Sequence, residues 1–443
     1  MDHGHLRMIA DKFQWVCSEA LLNACGKDVK FCRRQRIITP FRLGLALTAT
    51  CARQRVETIA DCHCGFNALF GTTVTYKAFY NQVAKPRFAD FARTITERLI
   101  SDMTLKVLGF AKGHAFAEFR HIVIQDGSSF AIHDGLREVF PGRFKTVKPA
   151  AVALHTTLDL LCDAPTTVVL TPDTTSEQAF LPEPATLMGA LLLADRGYID
   201  LHYMRRVQDE GGFYLIRAKA GMNPQVLEAF REDGKRLRSL RNKSLQTIHA
   251  KLPKRQRVEL VVQWHVDGCP LALRLIVSWN RHQKAFCYLL TNLPAPRYTL
   301  EMICRASKGR WQGELLFKEW KSYANLHAFD TEKPAIVEGL IWTAIAAAAL
   351  KRFLAHMTQL LVEVPMSTRK VAMCARHVLG DVVEALKRGD VAGLYAALEA
   401  AITYLACHAR RAHPKRDRQT GRSQLGLDPL LGSDDGIALA DAA

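Results

Sequence analysis

Apolar residues recur three and four positions apart through roughly the first 115 residues, as in Phe41, Leu45 and Ala49 or Phe88, Phe91 and Ile95, a spacing that predicts amphipathic helices. Thr39-Pro40 is a start signal for a helix beginning near Phe41. The run Thr72 to Tyr80 offers threonine caps ahead of Tyr76, Lys77, Phe79 and Tyr80. At residue 121 the rhythm changes. His121 to Asp126 reads as an apolar strand ending on a carboxylate, with Gly127-Ser128-Ser129 as a turn. Ala151 to Leu158 and Thr166 to Thr171 are two further strands, and a short helix follows Thr174 to Glu177. Ala190 to Asp195 is a buried strand that again ends on a carboxylate, followed by Arg196-Gly197-Tyr198. A helix near Ile199 to Gln208 leads into the strand Phe213 to Arg217. Three strands followed by alternating strands and helices predict an α/β domain with a mixed sheet.

From 218 to 300 the chain predicts a β-rich insertion, with strands at Val258 to Trp264, Leu271 to Val277 and Phe286 to Thr291. Beyond 300 it is helical. The alanine-rich stretch Ile341 to Leu350 is too short to span a bilayer and reads as a core helix or an interface. After about 408 a polar, basic tail is expected to be disordered. The organisation expected is thus a helical, basic domain (1–115), an α/β core (116–217 with 301–330), the insertion (218–300), a helical region (331–407) and the tail (408–443).

Charge changes the picture more than composition does. The 443 residues are 49% hydrophobic and 23% charged, ordinary for a globular protein, yet the net charge is +17. A polyanionic partner follows, and RNA, DNA and anionic lipid all satisfy charge alone. Between Lys30 and Arg55 there are seven basic residues and no acidic one, and between Arg217 and Arg257 twelve against three. The first stretch reads either as a DNA-binding helical module or as a bundle with a solvated basic face. Cysteines are scattered and never form C-x-x-C, which argues against a zinc ribbon or disulfide framework. Cys62-His63-Cys64 is read as buried thiols, and free thiols without an apolar signal core suggest a reducing cytoplasm. No G-x-G-x-x-G or Walker loop marks a nucleotide cofactor.

The candidate chemistry is a set of carboxylates. Asp126 and Asp195 stand where buried strands run out, the edge at which open α/β sheets bind ligands. Glu314 belongs to the helical run Arg310 to Lys321, where spacings of four and seven put Arg310, Glu314 and Lys321 on one face, with Trp311, Leu315 and Phe317 available for packing. Singly, a turn aspartate or a salt-bridged glutamate is ordinary. Together they are a hard-oxygen donor set among phosphate-binding cations.

This order (strand-Asp126, strand-Asp195-Arg-Gly-Tyr, β-insertion, Arg310-x-x-x-Glu314-x-x-x-x-x-x-Lys321) resembles the DDE transposases of bacterial insertion sequences, specifically the insertion-sequence-four group. The resemblance covers about 120 to 350, includes the blocks Phe213 to Arg217 and Tyr288 to Asn292, and departs at Ser307, where the family's helix signature has Tyr. It implies a ribonuclease-H-like core in which Asp126, Asp195 and Glu314 hold two Mg²⁺ or Mn²⁺ ions for cut-and-paste DNA cleavage and joining. Asp134 is the substitute should Asp126 not serve. Arg310 and Lys321 would clamp DNA phosphates, Ser307 would weaken one DNA contact, and Arg217, Lys219 and Arg241 would line the DNA path. By position Phe286 or Tyr288 is the candidate to stack on a flipped base, but neither is the Trp expected there, and the favoured reading is that both are buried strand aromatics. Terminal inverted repeats, target DNA and a second copy in a synaptic homodimer are the partners implied. A non-transposing nuclease on the same core, or a decayed transposase that only binds DNA, are the alternatives.

Overall fold

The computed structural model describes residues 3–32, 36–219, 221–326, 329–411 and 425–429. Six helices open the chain: α1 (His3–Val16), α2 (Glu19–Asp28), α3 (Pro40–Arg53), α4 (Ile59–Phe70), α5 (Tyr76–Val83) and α6 (Phe88–Asp102). Local capping sets their starts. The Thr39 hydroxyl accepts from Arg42 N ahead of Pro40, and Thr58 with Asp61 closes a reciprocal capping box on α4. The short strand β1 (Leu108–Phe110) follows.

The sheet then begins with β2 (Ile122–Ala131), β3 (Pro141–Phe144), β4 (Lys148–Asp159), β5 (Ala164–Pro172) and β6 (Leu191–Ala194). Helix α7 (Leu201–Asp209) crosses to β7 (Phe213–Ala218). The strands lie in the order β5-β4-β2-β6-β7, with the first three antiparallel and β6 and β7 parallel to β2. That is ribonuclease-H-like topology, as the family resemblance implies, on the mixed sheet the sequence pattern predicts. Strand β4 is long enough for β3 to share its outer edge with β5.

The segment after β7 continues this same sheet. It comprises β8 (Gln225–Arg231), β9 (Lys243–Ser244), the one-turn helix α8 (Leu245–Ile248), β10 (Val258–Val266), β11 (Cys269–Asn280) and β12 (Ala285–Thr291). Strand β12 pairs antiparallel with β7, and β11, β10, β8 and β9 follow outward, so catalytic core and insertion share one eleven-stranded sheet. Period-two alternation divides the sheet's faces. Leu191 and Leu193 of β6 enter one apolar cluster, and Leu192 and Ala194 enter the other, with α7 and most of the insertion's side chains.

The remaining helices are α9 (Leu300–Ala306), α10 (Trp311–Tyr323), α11 (Pro334–Val362), α12 (Thr368–Cys374), α13 (Leu379–Arg388) and α14 (Val391–His408). Helix α11 passes between α3 and α6, and Thr96 Oγ1 donates to its Trp342 carbonyl at 2.8 Å. Its most apolar window is 72% buried inside the fold, which makes it a core helix and joins the N- and C-terminal helices in one cluster. Most of the basic tail lies outside the described residues. Within it, β13 (Leu427–Pro429) pairs antiparallel with β1.

Candidate active site

Asp126 lies within β2 beside β6, the strand that ends immediately before Asp195. Helix α10 crosses above and brings Glu314. Its inward face is Gln312, Gly313, Leu316, Phe317 and Trp320, whereas Trp311 and Leu315 are exposed. Packing was expected of both, and the docking of α10 through Gly313 explains the difference: Trp311 and Leu315 point away from the sheet, with Lys318 over the Trp311 ring. A β-carbon on Gly313 would stand 2.9 Å from Asp126 Oδ2 and 3.2 Å from Asp126 Cβ, so any larger residue must shift the helix or the carboxylate.

Arg310 ties the group together. Its guanidinium donates to Glu314 Oε1 at 2.8 Å and stands 3.6 Å from Asp126 Oδ2. Burial works against the arginine charge, but the hydrogen bond to Glu314 and the pull of Asp126, Asp195 and Glu314 hold its pKa up. Asp126 Oδ1 accepts from Gly127 N at 2.9 Å. Burial nevertheless pushes Asp126 up to about 6, with Glu314 and Asp195 adding repulsion and Arg310 and Gly127 opposing it. Asp195 Oδ1 is buried with no hydrogen-bond partner. A buried anionic oxygen left unpaired beside a crowded carboxylate is costly, and a hard cation relieves both. Among the described residues no three acidic or His/Cys groups close on one point. Glu314 is turned onto Arg310.

The other residues singled out fall at graded distances from this centre. Lys321 Nζ donates to Ser128 Oγ at 2.7 Å and to the Ser129 carbonyl at 2.8 Å, pinning the end of α10 to β2. The pairing of Ala194 with Ile216 puts Arg217 beside Asp195, where it also bonds Cys287. Lys219 is exposed at the end of β7. Arg241 is out on the insertion, its guanidinium on the Leu227 carbonyl. Ser307, which caps the end of α9, donates to that helix's Cys304 carbonyl. Tyr288 is 2% exposed, packed within the sheet's second cluster, so its ring is not presented to a base; Phe286 is half-buried against Trp279. Asp134 sits exposed in a separate helical turn after β2. Cys62 is buried and Cys64 exposed, no disulfide joins any of the twelve cysteines, and His63 bonds the Val74 carbonyl.

One supporting group left no sequence signal. Glu319, on the far side of α10 from Glu314, accepts from Arg352 NH1 at 3.0 Å; Arg352 NH2 reaches Asp163 Oδ1 at 2.7 Å, with His356 Nε2 3.4 Å from Asp163 Oδ2. All four are buried. The network ties the helix of Glu314 to α11 and to the turn after β4, the strand paired with that of Asp126.

A ribonuclease-H-like sheet with carboxylates at its central strands and on the helix that covers them is the architecture of enzymes that break and join phosphodiesters. Residues 118–350 match the family described as Transposase DDE domain, and the chain belongs to that family. It is an insertion-sequence transposase, an enzyme that cleaves and transfers DNA strands, in a family dependent on divalent metal. Its relatives include the transposase for insertion sequence element IS231E of Bacillus thuringiensis subsp. finitimus, 21% identical over 381 residues, which cover 78% of this chain and 79% of that protein. The transposase for IS231C of Bacillus thuringiensis subsp. berliner is 20% identical over 376 residues, covering 77% and 78%. A solved piggyBac transposase synaptic complex with hairpin DNA aligns with 92% of this chain and 86% of that one at 10% identity and TM-score 0.47, a likeness too loose to add to the assignment.

Proposed function

We propose that this transposase moves its element by cut-and-paste, with Asp126, Asp195 and Glu314 as the catalytic carboxylates. The observation that carries the reading is the cluster itself: Arg310 bridging Glu314 and Asp126, beside a partnerless Asp195 oxygen. Their oxygen donors suit two Mg²⁺ or Mn²⁺ ions, which when bound supply Lewis acidity and charge neutralisation at phosphorus. The chain's own residues do the positioning. Arg310, planar and already at the carboxylates, is placed to take a phosphate bidentately, and Lys321 fixes α10 over β2. Arg217 adds a cation beside Asp195. In the first step a water oxygen bonds to phosphorus as the bond to the DNA 3′ oxygen breaks, water's proton passing to that leaving oxygen. In the second the freed 3′-hydroxyl oxygen bonds to a target phosphorus as the bond from that phosphorus to the target strand's 3′ oxygen breaks, leaving a target 3′-hydroxyl. The helical N-terminal region supplies end binding, and a homodimer holding both ends on the bacterial chromosome completes the reading.

The test is an assay with purified protein, Mg²⁺ or Mn²⁺, a duplex bearing the element's end and a target plasmid. Metal-dependent cleavage followed by joining is expected, and Asp126→Asn, Asp195→Asn and Glu314→Gln should each lower it by about 10³-fold or more, roughly 4 kcal/mol of barrier. Cleavage without joining would make the protein a nuclease. Variants as active as wild type would remove these carboxylates from the chemistry.

A further inference from the structure

Helices α4 and α5 form a helix-turn-helix whose outer face is unused by the fold. Helix α4 ends at Gly71 in the left-handed conformation, φ 59°, and the chain re-enters a helix five residues later under a Thr75 cap. The turn is held from α4. Asn67 Oδ1 accepts from Thr72 Oγ1 at 2.8 Å and Val74 N at 3.1 Å, while Asn67 Nδ2 donates to the Val74 carbonyl at 2.9 Å. Helix α5 is anchored by Phe79 and Val83, one turn apart and fully buried, with Phe79 against Phe66 of α4. That anchoring turns Lys77 and Asn81, also one turn apart, outward, with Tyr76 exposed ahead of them.

Beside this face runs an open groove lined by Lys30, Arg36, Lys85 and Arg87, with Thr73, Thr75 and Asn81 on the α5 side. No acidic side chain lines it among the described residues, although Arg87 pairs with Asp90 at its margin. A rigidly stapled second helix, side chains able to read bases and a flanking run of cations are the parts of a major-groove reader. An eight-residue helix is about 12 Å long and fits a groove about 12 Å wide.

We propose that α5 reads the sequence of duplex DNA in its major groove, through Lys77 and Asn81 at base edges with Tyr76 beside them, while Lys30 and Arg36 hold the flanking phosphates. Asn suits the paired donor and acceptor of adenine, and Lys the acceptors of guanine. The inference rests on the transposition reading for its partner, and makes α5 the element that selects the transposon's ends.

The test uses the full-length protein and a randomised duplex DNA pool. Wild type should enrich one motif. Lys77→Ala with Asn81→Ala, both exposed and confirmed folded by circular dichroism, should lose information at adjacent motif positions and bind the wild-type motif at least tenfold more weakly relative to random duplex. Lys30→Gln with Arg36→Gln should enrich the same motif, with weaker binding to every duplex and a shallower salt dependence. The proposal is overturned if the Lys77/Asn81 variant enriches the wild-type motif unchanged, if wild type enriches none, or if duplex RNA competes as well as DNA. Cleavage and joining are measured separately on wild type, so failure of the transposition reading shows there, and failure of the reader helix shows only in the selected motif.

Discussion

A methyl group on Gly313 would stand 2.9 Å from Asp126 Oδ2, so the helix that carries Glu314 rests on the β2 carboxylate with no room for a side chain between them. Gly313→Ala must either lift α10 or turn the Asp126 side chain. The expected outcome is a fall of about tenfold or more in cleavage rate, roughly 1.4 kcal/mol in barrier, with thermal stability little changed because alanine favours the helix. Single-turnover cleavage alongside a melting curve checks this; an alanine variant with wild-type rate would show that the close approach is dispensable.

The buried Glu319–Arg352–Asp163 network gives a second prediction. Removing one partner strands a buried charge, so Glu319→Ala should cost about 3–5 kcal/mol in urea unfolding. Replacing the set by Glu319→Leu, Arg352→Met and Asp163→Asn should restore most of that loss. Asn is chosen because residue 163 has φ 49°, which Asn tolerates. If the triple variant is as unstable as Glu319→Ala, the loss does not come from an unpaired charge.

Lys351 is buried on α11, and burial lowers its pKa to about 8 despite the attraction of Glu319. With a folded pKa below the ordinary 10.5, its favourable contribution is complete only above that value and is lost as pH falls toward 8. At pH 7 the fold therefore carries a charged, buried ammonium. Lys351→Met should stabilise the protein at pH 7 by about 1–3 kcal/mol and lose its advantage near pH 10. Denaturant titrations at the two pH values decide it.

His155 offers a pH dependence of ordinary range. It is buried opposite Gly127 and stacked on Phe180, and burial together with Arg143 lowers its pKa to about 4, against a smaller pull from Asp173. The neutral ring is the folded form, so its stabilisation is full above pH 6.5 and drains away as pH falls from 6.5 to 4. Melting temperatures between pH 7.5 and 4.5 should drop less steeply in His155→Gln than in wild type. Equal slopes would assign the acid sensitivity to other groups.

Much of the architecture was legible along the chain because its signals are local. Apolar runs leading to Asp126 and Asp195 announce buried strands, and the four-and-seven spacing of Arg310, Glu314 and Lys321 announces one helix face. Gly127-Ser128-Ser129, read as a turn, instead continues β2 to Ala131, because pairing with β4 holds these residues extended. Trp311 and Leu315 misled because periodicity places residues on a face without saying which face docks. For Tyr288 the sequence left base stacking and burial both open, since a strand residue points to one of two sides, and only the pairing with Ala218 and Val277 sets which side is filled.

The sequence by itself determined the elements, the donor chemistry and the basic character, since propensity, alternation and charge act over a few residues. Tertiary structure decided what lies far apart in sequence: the joining of β12 to β7, the sharing of α11 between the terminal helical regions, and the meeting of Arg352 with Asp163 and Glu319. Backbone pairing and burial are collective, and an ion pair 189 residues apart has no local trace until packing has removed water from around it.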